Sequence, residues 1–114
     1  MPEVFYSGAE SNQVMVREGD SKRPLDPRFD LAKLSPSGFR WGSGADSPAQ
    51  LSLALLADSL RDDVRALKLH HSFVQRVVAI MPERWTITRS RILAYANMIE
   101  HRARLEGDVT RIIG

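Results

Sequence analysis

A glycine-rich loop lies directly before the strongest helix signal in this 114-residue chain. Its candidate anion ligands are Arg40, Gly42, Ser43, Gly44 and Ser47. A loop of this kind at a helix N-terminus binds phosphate in other proteins, because its N–H groups and the helix dipole both favour negative charge. The alternative is a tight turn in which glycine permits positive φ and the serine caps the helix. We favour the turn, since Pro48 lacks an N–H, Asp46 repels anions and the spacing matches no phosphate-loop motif.

A second group of side chains suits recognition of an acidic partner. An arginine precedes each of the two tryptophans, and such a pair can stack on nucleobases, although tryptophan in a small domain is more often a core anchor. Further arginines surround the start of the third predicted helix or follow along it. The candidate partner-binding residues are Trp41, Arg84, Trp85, Arg89, Arg91, Arg102 and Arg104. A solvated helix face is the competing interpretation of the arginines.

Residues suited to catalysis or metal binding are few. The absence of cysteine excludes disulfides and thiolate chemistry. His70 and His71 are neighbours that point to different sides of a helix and cannot chelate one metal, and we expect His71 at the edge of the core. Asp58, Asp62 and Asp63 lie near a helix junction, where capping explains them better than acid–base catalysis. We therefore predict a protein that is not an enzyme and that has no cofactor and no metal site.

The elements that would position these residues fall into two parts. Residues 1–46 are predicted to be mainly β or extended. The segments 4–6 and 14–16 are rich in β-branched or aromatic residues and predict a hairpin, and Gly19-Asp20 predicts another turn after it. Prolines interrupt the following segment, and Phe39 and Trp41 would share one side of a further short strand.

Residues 47–106 are predicted to be helical. Ser47 as N-cap, Pro48 at the first position and Gln50 as the partner in a capping box begin the first helix. Segment 51–60 is apolar on almost every side, so we expect this helix to be enclosed.

Two further helices follow. The second begins at a cap on Asp62 or Asp63 and would bury the set Val64, Leu67, His71, Val74 and Val78. The third begins at Thr86 or Thr88, ends at Gly107 and would bury Ile92, Tyr95, Ala96, Ile99 and Ala103. Residues 107–114 are expected to form a tail. Its paired isoleucines suit docking onto the domain or onto a second subunit, which would make a homo-oligomer, and a frayed tail is the equal alternative.

Length and composition predict one domain over residues 1–114. The order of the predicted elements makes its class α+β, with a small antiparallel sheet (a hairpin plus an extended strand) packed against about three helices. The net charge is +2, from −1 over residues 1–46 and +3 over residues 47–114, and the pI is near 9.4. The basic pI suits a polyanionic partner, but a net charge of +2 is smaller than expected for a protein with the dense basic surface of a nucleic-acid-binding domain. The sequence has no apolar run long enough to span a membrane and no secretory signal, so we expect a cytoplasmic protein.

Four ordered segments carry a family resemblance. LDPRFDL, SPSGFRWG, SPAQLSLALLAD and FVQRVVAIMPERWTIT, within residues 6–93, resemble a family of small uncharacterised domains found in bacteria, archaea and phages. Its central motif is similar to Gly38-Phe39-x-Trp41-Gly42 followed by P-A-Q-L. Arg40 stands where that family tends to be acidic and Ser43 where it tends to be aromatic. The resemblance implies a compact α+β fold and leaves residues 94–114 as an extension.

We therefore expect a non-catalytic interaction protein, such as a phage or mobile-element accessory or counter-defence factor. Its partner would be a protein or a protein–nucleic-acid complex, bound through the basic and aromatic surface. A small-ligand protein that binds a nucleotide or another anion at residues 40–47 is one alternative, and a nucleic-acid-binding protein is another.

Overall fold

The computed structural model describes residues 3–9, 13–35, 38–42 and 48–113, with the backbone alone for residues 106–113. Its strands are β1 (Val4–Gly8), β2 (Val14–Glu18), β3 (Ser21–Pro24) and β4 (Trp85–Thr88). Its helices are α1 (Ala49–Leu60), α2 (Asp63–Arg76) and α3 (Arg89–Ile113), with a short 3₁₀ turn at Val78–Ile80. The predicted α+β fold is confirmed.

The four described strands form one antiparallel sheet in the order β3-β2-β1-β4. The predicted hairpin is confirmed as β1 and β2, and Gly19 occupies the turn into β3 with a φ of 60°. The additional strand was expected around Phe39 and Trp41, and that position is wrong, because residues 38–42 contain no strand. The sheet is extended instead by two four-residue strands, β3 and β4.

Alternation along the strands places one sheet face against the helices. Tyr6 lies opposite Val16 of β2 and Ile87 of β4, so these three side chains share the inner face. Helix α1 lies against this face, and its residues 50–57 are buried. The expectation of an enclosed first helix is confirmed, since α1 packs against α2 and α3 and its end contacts Tyr6 on the inner face of the sheet.

Gln50 anchors a loop and is not the partner in a capping box. Its Oε1 accepts hydrogen bonds from the backbone N–H groups of Leu34 and Ser35 at 2.7 and 3.0 Å. Its Nε2 donates to the carbonyls of Pro27 and Ala32 at 2.6 and 3.1 Å. The fully buried amide therefore satisfies four backbone groups of residues 27–35. Ser47, the expected N-cap, lies outside the described residues.

Helix α2 begins as expected but buries a different face. The N-cap Asp62 accepts a hydrogen bond from the backbone N–H of Arg65 at 3.1 Å. The predicted inner face is wrong for Val64, which is 61% exposed, and for Leu67 and His71, which are also exposed, whereas Val78 is buried as expected. The residues of α2 that are buried are Ala66, Leu69 and Phe73. The small Ala66 side chain permits close packing.

Helix α3 confirms its predicted cap and contradicts its predicted end. Thr88 Oγ1 accepts from the backbone N–H of Arg91 at 3.2 Å. Ile92, Ala96 and Ile99 are buried as expected, whereas Ala103 is exposed. Gly107 does not stop the helix, which continues to Ile113. The predicted tail is thus part of α3.

Candidate functional site

The described part of the glycine-rich loop is engaged in the fold. Gly42 has a φ of 88°, and its N–H donates to the Val78 carbonyl at 2.9 Å. A Cβ at this position would lie 3.2 Å from the Met81 carbonyl oxygen. This N–H is therefore committed to the protein and is not directed at an anion. Arg40 is half-buried, while Ser43, Gly44 and Ser47 lie outside the described residues, so their ligand role stays a prediction.

The two tryptophans pack against each other. Their ring centroids are 5.6 Å apart in an edge-to-face arrangement, and Trp41 Nε1 donates to the Glu83 carbonyl at 3.2 Å. Trp85 is only 7% exposed, and a Cβ on Gly8 would come within 2.6 Å of its ring. The glycine in β1 thus makes room for the indole. The pair connects residues 38–42 to β4. Little of the Trp85 surface remains accessible to a binding partner.

Four of the five candidate arginines lie on α3, and they do not share one face of it. Arg89 turns towards α1 and donates from Nε to the Ser59 carbonyl at 2.9 Å, so it stabilises the end of that helix. Arg91 and Arg102 lie on one flank of α3, and helical geometry places Arg104 on the opposite flank. The predicted basic patch is therefore divided by the helix. Arg84 is exposed on the segment that enters β4.

A groove lies beside β4, where the end of α2, the 3₁₀ turn and the start of α3 meet. Its volume is about 220 Å³. We call it the arginine groove, and its lining residues are Arg76, Val77, Ile80, Met81, Pro82, Trp85, Thr86, Ile87, Arg91 and Tyr95. The two arginine side chains are exposed, and neither makes a hydrogen bond or ion pair within the described part of the chain. The groove thus combines an apolar lining with two unpaired positive charges.

Most other charged side chains near the helices have partners. Arg65 bonds both carboxylate oxygens of Glu100 at 2.6 and 3.2 Å and so links α2 to α3. Arg28, in the left-handed region at a φ of 60°, bonds the carboxylates of Asp30 and Asp63. The hydrogen bond from Arg28 lowers the pKa of Asp30. These pairs are structural and contrast with the arginine groove.

A polar cluster joins β1 to α1. The Tyr6 hydroxyl donates to Asp58 Oδ2 at 2.6 Å and accepts from Ser59 Oγ at 3.1 Å. Arg23 of β3 bonds both oxygens of Asp58 at 3.0 and 3.2 Å. Burial, followed by the hydrogen bond to Asp58, raises the pKa of Tyr6 well above its ordinary value. The phenol is held protonated and serves as a structural donor.

The three aspartates near the helix junction act separately: Asp58 in the cluster with Tyr6, Asp62 as a cap, and Asp63 as a partner of Arg28. His70 Nδ1 lies 2.7 Å from the Leu67 carbonyl oxygen, while His71 is exposed and does not lie at the core edge as expected. Across the described residues, no group of three histidine or acidic side chains is placed to hold a metal ion. None of the described helices is long and apolar enough to cross a membrane.

A larger hollow of about 430 Å³ lies at the Gly8 end of the sheet. Its lining residues are Ser7, Gly8, Ala9, Gln13, Met15, Arg84, Trp85 and Thr86. Arg84 is the one charged group among them. Sequence reasoning indicated Arg84, Trp85 and Arg91 but missed Arg76, Ile80 and Tyr95. Only the position of β4, which the sequence pattern did not predict, brings those three together beside it.

Comparison with known proteins identifies a family whose function is unknown. The model of DUF6166, a family of unknown function, matches residues 6–98. The chain belongs to this family. The match covers 93 of 114 residues and ends within α3, five residues beyond the end expected from the motifs. No curated protein and no solved structure gives a significant match.

Proposed function

We propose that this DUF6166 member is a non-catalytic interaction protein that binds an acidic segment of a partner protein through the arginine groove. The observation that carries the proposal is the pairing state of Arg76 and Arg91. Both are exposed beside an apolar groove and neither has a carboxylate partner in the described structure, whereas Arg23, Arg28 and Arg65 each bind one. Charge-assisted hydrogen bonds from arginine to an anionic group such as a carboxylate are about twice as strong as neutral ones, so two unpaired arginines favour an acidic ligand here.

The apolar part of the groove supports a protein partner. Ile80 lines the groove and is 73% exposed, so it adds accessible apolar surface next to the two arginines. Tyr95, Met98 and Arg102 continue along the same flank of α3 as Arg91, and Met98 is 45% exposed. Arginine, tyrosine and methionine are enriched in protein interfaces, whereas a nucleic-acid surface would carry more positive charge.

The cellular role follows from the resemblance and is part of the proposal. The resemblance implies a family with members in bacteria, archaea and phages, and such a distribution would suit an accessory factor of a phage or mobile element. A counter-defence factor of this kind can act by covering a surface of a host protein. The cysteine-free sequence suits the reducing cytoplasm. Neither role requires an active site.

Nucleic-acid binding is the second candidate, and the outer face of the sheet supports it. Phe5 and Arg17 face away from the helices on paired strands, with the Arg17 guanidinium 5.0 Å from the Phe5 ring centroid. Lys22 lies opposite Arg17 on β3. Aromatic and basic side chains on an open sheet face can hold single-stranded nucleic acid.

Selection from a phage-displayed library of random dodecapeptides tests the first candidate. We expect the selected peptides to be rich in Asp and Glu, and the double variant R76E/R91E to lose their binding by at least about tenfold, because it replaces attraction by repulsion. The control variant K68E/R104E lowers the net charge by the same amount at exposed positions outside the groove and should retain binding.

Two results would contradict this function. One is equal binding of the selected peptides by both variants, since the groove would then not be the site. The other is that no peptide is selected while a single-stranded oligonucleotide binds with a steep salt dependence that R76E/R91E leaves unchanged. The second result would favour the outer face of the sheet.

A further inference from the structure

The two edge strands of the sheet differ in how well they are protected against pairing with another strand. Strand β3 forms one edge with the sequence SKRP, in which Lys22, Arg23 and Pro24 oppose pairing with another strand. Strand β4 forms the other edge with the sequence WTIT, which contains no charge and no proline. Natural sheets usually protect an edge strand with such residues. The edge at β4 is therefore the one suited to accept a further strand.

The outer side of β4 has no backbone partner in the described structure. One side pairs with β1 from Phe5–Thr88 to Gly8–Trp85. Outside this pairing, no backbone-to-backbone hydrogen bond involves residues 85–88 in the described part of the chain. Alternate residues of an edge strand direct N–H and C=O groups away from the sheet. In the part of the chain that the structure describes, no other backbone competes with an incoming strand for those groups.

The arginine groove follows this free edge. Trp85, Thr86 and Ile87 are consecutive and their side chains alternate between sheet faces, yet all three line the groove. A groove on one face of the sheet would contact only every second residue of β4. Contact with three consecutive residues therefore indicates that the groove runs along the edge of the strand. The opposite wall comes from the 3₁₀ turn and α3, through Ile80 and Tyr95. The groove thus offers an extended chain both backbone groups and side-chain contacts.

We propose that the acidic partner segment, whose binding rests on the proposed function, adds to the sheet as an extended fifth strand along the free edge of β4. Its carboxylates would meet Arg76 and Arg91, and its apolar side chains would contact Ile80 and Tyr95. A second copy of this chain is a poorer occupant, because pairing of β4 with β4 would bring the arginines of both copies to one interface.

Backbone methylation of a selected acidic peptide tests strand addition. The tightest-binding dodecapeptide is synthesised unmodified, with alternate residues N-methylated, and with the complementary set of residues N-methylated. Only alternate amides of an added strand point to β4, so we expect one methylated form to lose at least about tenfold in affinity and the other to stay near the unmodified value. Amide hydrogen exchange at Trp85–Thr88 should slow when the unmodified peptide binds.

The outcomes separate this inference from the function on which it rests. If R76E/R91E abolishes binding but both methylated peptides bind alike, or if exchange at β4 is unchanged, the groove binds acidic peptides without strand addition and the inference fails alone. If no selected peptide depends on Arg76 and Arg91, both fail. A dimer in sedimentation, with β4 amides already protected without peptide, would show that a second copy occupies the edge and would overturn the inference.

Discussion

At the scale of single residues, buried amide and hydroxyl groups hold segments that sequence periodicity does not connect. Gln50 binds four backbone groups of a loop 15 to 23 residues earlier in the chain. Its position three residues after a serine suggested a cap, but its buried amide serves the loop instead. Its contacts are long-range, so no local pattern could reveal them.

Replacement of Gln50 by alanine is expected to lower the free energy of unfolding by about 2–4 kcal/mol. The reason is that two N–H and two C=O groups at the loop lose their partners, and a buried unpaired group costs about 1–3 kcal/mol. Urea denaturation of Q50A measures the change. Gln75→Ala, at an exposed position in α2, is the control and should change stability by less than about 0.5 kcal/mol. Equal stability of Q50A and the wild type would contradict the anchoring role.

Tyr6 should make stability depend on pH in the alkaline range. Its pKa is raised in the folded state by burial and by Asp58, so its contribution is fully present below the ordinary pKa of 10.0 and is lost as pH rises above it. Above pH 10 the loss approaches about 1.4 kcal/mol per pH unit. Urea denaturation at pH 8, 10 and 11 should show a weaker decline for Tyr6→Phe than for the wild type. Tyr95→Phe is the matched control, and the same decline in Y6F as in Y95F would reject this role for Tyr6.

At the scale of elements, strong local sequence signals predicted the helices and strands correctly, whereas ambiguous patterns gave the wrong buried face or missed a strand. The hairpin, the buried α1, and the caps at Asp62 and Thr88 followed from residue type and spacing. Helix α2 carries two apolar stripes at helical spacing, and only packing against α1 decides that the one with Phe73 is buried. Strands β3 and β4 have four residues each, too few for a reliable alternation, and pairing with β2 and β1 forms them.

The candidate site was predictable only in part for the same reason. Arg91 and Trp85 were evident from the sequence, but Trp85 belongs to the core and Arg89 to the end of α1. Arg76 ends α2 and Ile80 lies in the 3₁₀ turn, so their meeting with Arg91 depends on the path of the chain into β4. The missed edge strand is therefore also the reason that the arginine groove was missed.

At the scale of the whole molecule, charge and sheet architecture point to the same surface. The chain is only weakly basic, with a net charge of +2, so whole-protein attraction to polyanions is small and local pairs must provide specificity. The charged, proline-containing edge is at β3, and the uncharged edge lies beside Arg76 and Arg91. One end of the sheet is thus closed to further strands and the other is open to an acidic one.

Recognition of acidic side chains by Arg76 and Arg91 can be tested by reversing the charges on both the protein and the peptide. The measurement is the affinity, by titration calorimetry, of wild-type protein and R76E/R91E for a selected acidic peptide and for the same peptide with its acidic residues changed to lysine. We expect the wild type to bind only the acidic form and R76E/R91E to bind the lysine form at least about tenfold more tightly than the acidic one. If R76E/R91E still prefers the acidic peptide, Arg76 and Arg91 are not the groups that recognise the acidic side chains.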